Sequence, residues 1–171
     1  MSVGYNDILD RDWGIHFLRK TKNKNTLING TKYGRDIQDS DSDYGVDVEH
    51  AQKYNPITRN RPISIPFRKS KIGKYWDNRD TDYIQYITKI TRNQGPTKLI
   101  YIKSDVIKEY KDNPIERGDY PYDREYTWKG MTREECKKLF NTYIEIPKDK
   151  VEVWERIGNG KESDWKQIPM T

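Results

Sequence analysis

Apolar and polar positions alternate along this chain in short runs that change period several times. Near the start, "YNDILDRDWGIHFLRK" spaces Ile8, Leu9, Trp13, Phe17 and Leu18 three and four apart, which predicts an amphipathic helix, broken near Gly14. A short strand is expected in "NTLING" (25–30), and a further strand over 45–51, where Val46 and Val48 alternate with Asp47 and Glu49. "RPISIPFRK" (61–69) sets Ile63, Ile65 and Phe67 against Ser64, Pro66 and Arg68, and Pro66 moves this strand towards a sheet edge. "DYIQYITKI" (82–90), rich in Tyr, Ile and Thr, is the strongest β pattern. Two later segments, 98–110 and 141–157, each read as a strand followed by a short helix, with Ser104 as N-cap of the first and Pro147 opening the second. Between them, 112–130 reads as a loop, and "TREECKKLFN" as a helix opened by a Thr132–Glu135 capping box.

These elements imply an α/β fold: one mixed-sheet domain with flanking helices, its sheet of about four to six strands. A length of 171 residues suits one domain over 1–171. The 46–50 strand is expected inside the sheet, beside the 63–67 strand. Composition changes the picture in one respect. At 33% hydrophobic, 35% charged and a mean hydropathy of −1.13, the chain is polar, so its five Trp and thirteen Tyr must supply much of the core. The same aromatics could stack on bases, and the aromatic loop 112–128 is the candidate for that role. No apolar run reaches the length of a membrane span and no leader pattern is recognised, so a soluble, cytoplasmic protein without a membrane partner is expected.

Cys136 is the single cysteine, which excludes an internal disulfide and a cysteine zinc cluster. Phosphate-binding loops, dinucleotide fingerprints, zinc-protease motifs and nucleophile elbows do not occur. His16 and His50 are the only histidines. The net charge is +5, and basic residues gather at 19–24, 59–62 and 68–74. A basic surface around a local cluster of acids suits a protein that grips phosphates beside a metal.

That cluster is "DSDYGVDVEHAQKYN". On a strand, Asp47, Glu49 and Ala51 share one face, while Val46, Val48 and His50 share the other. If the valines face the core, both carboxylates stand in a row lining a cleft. Two such carboxylates, with a third from Asp36, Asp39, Asp41 or Asp43, can hold Mg²⁺ or Mn²⁺, hard cations that take oxygen ligands. Carboxylates alternating with valines also describe any half-exposed strand, whose charges only face water.

The stretches "DVEHAQKYN", "RPISIPFRK", "DYIQYI" and "KLIYI" resemble phage and restriction-type nucleases of the PD-(D/E)XK superfamily, over about residues 5 to 155. In that superfamily an Asp opens one strand, a Glu-x-Lys motif lies on the next, and further strands complete a mixed sheet. The resemblance implies a restriction-endonuclease-like fold, DNA as partner, Mg²⁺ or Mn²⁺ as cofactor, and a homodimer where both strands are cut. Glu49 matches the motif's glutamate. Its lysine position holds Ala51, a departure, and Lys53, of the same parity, could reach back in its place. The upstream aspartate is Asp36, Asp41 or Asp43, or Asp47 fills that role itself. The resemblance thus implies Asp47, Glu49 and Lys53 as catalytic and Asp43, Asp47 and Glu49 as metal ligands; Arg68, Lys69, Lys71 and Lys74, which follow a strand expected to pair with the acidic one, are the candidate phosphate contacts. The alternatives are a non-catalytic nucleic-acid-binding or phage accessory protein on the same fold, and an interaction protein whose charges give solubility.

Overall fold

The computed structural model describes residues 5–30, 35–50, 63–67, 81–87, 90, 94–116 and 130–169. In chain order its elements are α1 (Tyr5–Lys22), β1 (Leu27–Asn29), β2 (Ile37–Asp39), β3 (Gly45–His50), β4 (Ile63–Pro66), β5 (Asp82–Tyr86) and β6 (Lys98–Ile102). There follow α2 (Ser104–Tyr110), β7 (Ile115–Glu116), α3 (Arg133–Phe140), β8 (Thr142–Ile146), a 3₁₀ turn (Lys148–Lys150), β9 (Glu152–Ile157) and β10 (Asp164–Ile168). The fold is mixed α/β. Its main sheet has seven described strands in the order β1-β2-β3-β5-β6-β9-β10, and a second sheet has three, β4-β8-β7. Neighbours are antiparallel except β3 and β5, which run parallel. A parallel pair needs a crossover, and β4 lies in this one.

Strand periodicity sorts the side chains into two cores. Val46, Val48, Ile84 and Tyr86 pack on one face with Trp13, Phe17 and Leu18 of α1. Tyr83, Ile100, Ile102 and Val153 occupy the other face with Ile63 and Ile65 of β4, Ile144 and Ile146 of β8, and Ile107 of α2. α1 is held chiefly by docking. Phe17 and Leu18 are fully buried, each contributing about 1.5–3 kcal/mol, whereas a helix of this polarity alone in water is marginal. Among the described residues no helix is long and apolar enough to cross a membrane.

Several expectations hold in detail. β3 lies inside the main sheet, β4 is an edge strand of its own sheet, and Thr132 with Glu135 forms a reciprocal capping box at α3. Others are corrected. α1 runs unbroken through Gly14, where a Cβ would come within 2.7 Å of Ile37 Cδ1 and 3.1 Å of the Tyr86 hydroxyl. The glycine is a point of close approach between helix and sheet, not a break. β4 is not beside β3; Ile63 and Ile65 pair with Ile146 and Ile144 of β8. The segment after Pro147 gives one 3₁₀ turn and then β9, since Val151 and Val153 are buried at period two. Ser104 is the first residue of α2, and the N-cap is Lys103, without a side-chain hydrogen bond. The described strands also outnumber those anticipated, because β9 and β10 extend the main sheet as a hairpin.

Candidate functional site

β3, third of the seven described strands in the main sheet, is buried from Gly45 to Val48, which decides where its charges go. Asp47 is 5% exposed. Its face is shared by Tyr83 and Gln85 of the parallel neighbour β5, in register Asp47 with Tyr83 and Glu49 with Gln85. The Thr81 hydroxyl donates to Asp47 Oδ2 at 3.2 Å, and the Tyr83 hydroxyl to Gln85 Oε1 at 2.9 Å. A buried carboxylate is costly unless it is bonded, so Thr81 is part of what keeps Asp47 there. Glu49, two residues on and half-buried, stands on the same face, about 7 Å away along the strand. Asp47 therefore lies in a buried polar strip with Tyr83 and Gln85, and Glu49 stands at its part-exposed end. Asp43, Asp47, Glu49 and His50 all have further partners.

Asp36, just before β2, comes to this strand from the side. Its amide donates to the Val46 carbonyl at 3.0 Å, and its Oδ2 accepts from the Val48 amide at 2.8 Å. Its carboxylate thus lies against the β3 backbone at the residue between Asp47 and Glu49. Arg11 of α1 faces its other oxygen at 3.6 Å.

The acidic run before β3 is largely turn chemistry. Asp39 accepts from the Thr26 hydroxyl, the Asp41 amide at 3.0 Å and the Ser42 hydroxyl at 3.0 Å, while its own amide donates to the Tyr44 carbonyl. The Thr26 bond, then the Asp41 amide, hold its pKa below the usual carboxylate value. Asp43 is exposed in this turn, at the opposite end of β3 from Glu49. Among the described residues no three His, Cys, Asp or Glu side chains converge to hold a metal ion, so Asp43 is not brought together with Asp47 and Glu49.

His50 points to the α1 face, away from Glu49. Its Nδ1 is 3.7 Å from Asp10 Oδ1, its Nε2 accepts the Ile90 amide at 3.3 Å, and its ring stands edge-on to Tyr86. Lys53, Arg68, Lys69, Lys71 and Lys74 lie outside the described residues, as does 117–128 of the aromatic loop.

The sequence reading did not find the tyrosine network on the α1 face. The Tyr101 hydroxyl donates to Asp82, at the start of β5, and stands 2.9 Å from the Tyr44 hydroxyl. Burial pushes the Tyr44 phenol up to about 12 and Tyr101 higher still. Lys22 Nζ sits 4.6 Å over the Tyr101 ring and 2.7 Å from Glu152 Oε1, tying the end of α1 to β6 and β9.

Comparison of the chain with protein-family models, curated proteins and solved structures gives no match in any of the three.

Proposed function

We propose that this protein is a metal-dependent endonuclease that hydrolyses DNA phosphodiester bonds, of phage or mobile-element type, on a restriction-endonuclease-like fold. One observation carries the reading. Asp36 immediately precedes β2, and its carboxylate accepts from the Val48 amide of the adjacent antiparallel β3, between Asp47 and Glu49. That is the pattern of an aspartate opening one strand and an acidic motif on the next, and the mixed sheet with its parallel β3–β5 pair is compatible with it. Asp47 and Glu49 supply oxygen donors suited to Mg²⁺ or Mn²⁺. Asp36 itself faces Arg11 of α1 and, among the described residues, does not join them in a three-carboxylate cluster. A cation there would supply Lewis-acid polarisation of a phosphoryl oxygen. Lys53 would place the attacking water, since Ala51 stands at the usual lysine position, and Arg68, Lys69, Lys71 and Lys74 would hold the DNA backbone. Cutting both strands would call for a homodimer, working in the cytoplasm.

A second reading keeps the DNA and drops the chemistry. The burial of Asp47 and the alanine at position 51 favour it. Incubating the protein with supercoiled plasmid and single-stranded DNA, with and without Mg²⁺ or Mn²⁺, separates the two. Cation-dependent nicking supports the nuclease. Salt-dependent binding without nicking supports the binding protein, and neither result supports an interaction protein.

A further inference from the structure

The side of the β9–β10 hairpin that faces α1 carries a charge without a counter-charge. Arg156 and Trp165 are cross-strand partners. The Arg156 guanidinium lies 4.7 Å over the Trp13 ring, and the Trp165 ring meets Phe17 edge-on at 5.2 Å. Trp13 and Phe17 are one helical turn apart on α1, so the two pairs stand side by side. The guanidinium and the indole N–H therefore share one small region between helix and hairpin. There, Nε and Nη1 of Arg156 and Nε1 of Trp165 are buried and, among the described residues, have no hydrogen-bond acceptor. Nη2 makes a single long contact, 3.5 Å, to the Gly95 carbonyl. Trp165 is 8% exposed.

The carboxylates on the adjoining surfaces of α1 and the hairpin are committed elsewhere. Asp12 pairs with Lys161 and His16, Glu162 with His16, Asp164 with Lys20, and Asp10 with His50. Among the described residues Arg156 has no acidic partner. Stacking on an indole face answers part of the charge, but it leaves the in-plane N–H groups unsatisfied. Arg156 as a whole is part-buried, but its buried Nε and Nη1 donors remain for an acceptor to satisfy.

We infer that this region binds a small monovalent anion of halide size, held in the guanidinium plane of Arg156 by one of its N–H groups and by the Trp165 indole N–H. The anion's role is structural: it fastens the β9–β10 hairpin to α1, and it is independent of any chemistry at Asp47.

The test is thermal unfolding of the full chain in rising chloride, at constant ionic strength balanced with a bulky organic anion. Wild type should gain melting temperature with chloride, as a ligand of the folded state requires. Trp165→Phe keeps a ring against Phe17 and deletes the donor, so its chloride dependence should fall away, as should that of Arg156→Gln. In a bromide-soaked crystal, anomalous scattering should place the ion beside Trp165 Nε1. No chloride dependence in wild type, or the same dependence in Trp165→Phe, would overturn the inference.

Discussion

Replacing Tyr101 with phenylalanine removes one oxygen atom from the middle of a chain of three groups. The Tyr101 hydroxyl donates to the Asp82 carboxylate and meets the Tyr44 hydroxyl at 2.9 Å. Without it, Asp82 keeps the Ser104 amide at a distant 3.5 Å, and the half-buried Tyr44 hydroxyl loses its partner. A bond to a charged acceptor contributes about 1.5–3 kcal/mol and a neutral one about 1 kcal/mol, so the expected loss is roughly 2–4 kcal/mol. For a chain of this length each kcal/mol moves the melting temperature by about 2–4 °C, giving a fall of roughly 5–15 °C. Tyr44→Phe removes only the second bond and should cost about 1 kcal/mol. The double variant should cost less than the sum, because the two share that bond. Urea unfolding reads all three, through a lower midpoint at unchanged slope. If Tyr101→Phe costs no more than Tyr44→Phe, the Asp82 bond does not carry the weight assigned to it.

The same tyrosines set a pH limit. The folded state holds the Tyr44 proton up to about 12 against 10.0 unfolded, so its contribution is fully present below pH 10 and is lost as pH rises towards 12. That loss is at most about 3 kcal/mol, less for a group that keeps some contact with water; urea midpoints that stay constant through this window would contradict it. Gly14→Ala gains about 1 kcal/mol of helix propensity but overpacks against Ile37 and Tyr86 by about 1–3 kcal/mol. A more stable variant in urea unfolding would disprove the close approach. Thr132→Ala should cost about 1 kcal/mol and speed hydrogen exchange at the first amides of α3, and unchanged exchange would deny the capping box.

Local chemistry was legible and long-range partnership was not. The capping box at Thr132 and Glu135 is written in four consecutive residues, and the alternation at β3, β4, β5 and β6 is carried by β-branched and aromatic residues. Which strands pair is another matter. Ile63 and Ile65 suit a neighbour of β3 as well as they suit β8, and only the assembled fold chooses. The break expected at Gly14 failed because the glycine's function lies in tertiary packing, which propensity does not register. At the site, parity correctly put Asp47 and Glu49 on one face, opposite Val46 and Val48. It could not show that Asp47 is buried on that face, with the Thr81 hydroxyl bonded to it. The density of acid from Asp39 to Asp43 resembled a ligand cluster, yet Asp39 spends its oxygens on the turn. Asp36 was one of several upstream aspartates in the sequence, and the bond to the Val48 amide is what distinguishes it.

The most direct test of the nuclease assignment is single-turnover DNA cleavage in Mg²⁺ or Mn²⁺ by wild type and by Asp47→Asn. The amide keeps the size of the side chain and an oxygen for the Thr81 hydroxyl, so the fold should persist, as an unchanged urea midpoint would verify. The charge is removed, and one acceptor oxygen becomes an N–H donor. The assignment predicts cation-dependent cleavage by wild type and a loss of at least about 100-fold in the variant, the scale of a deleted electrostatic contact to a transition state. A wild type that never cleaves, or a folded Asp47→Asn that cleaves as wild type does, would contradict it.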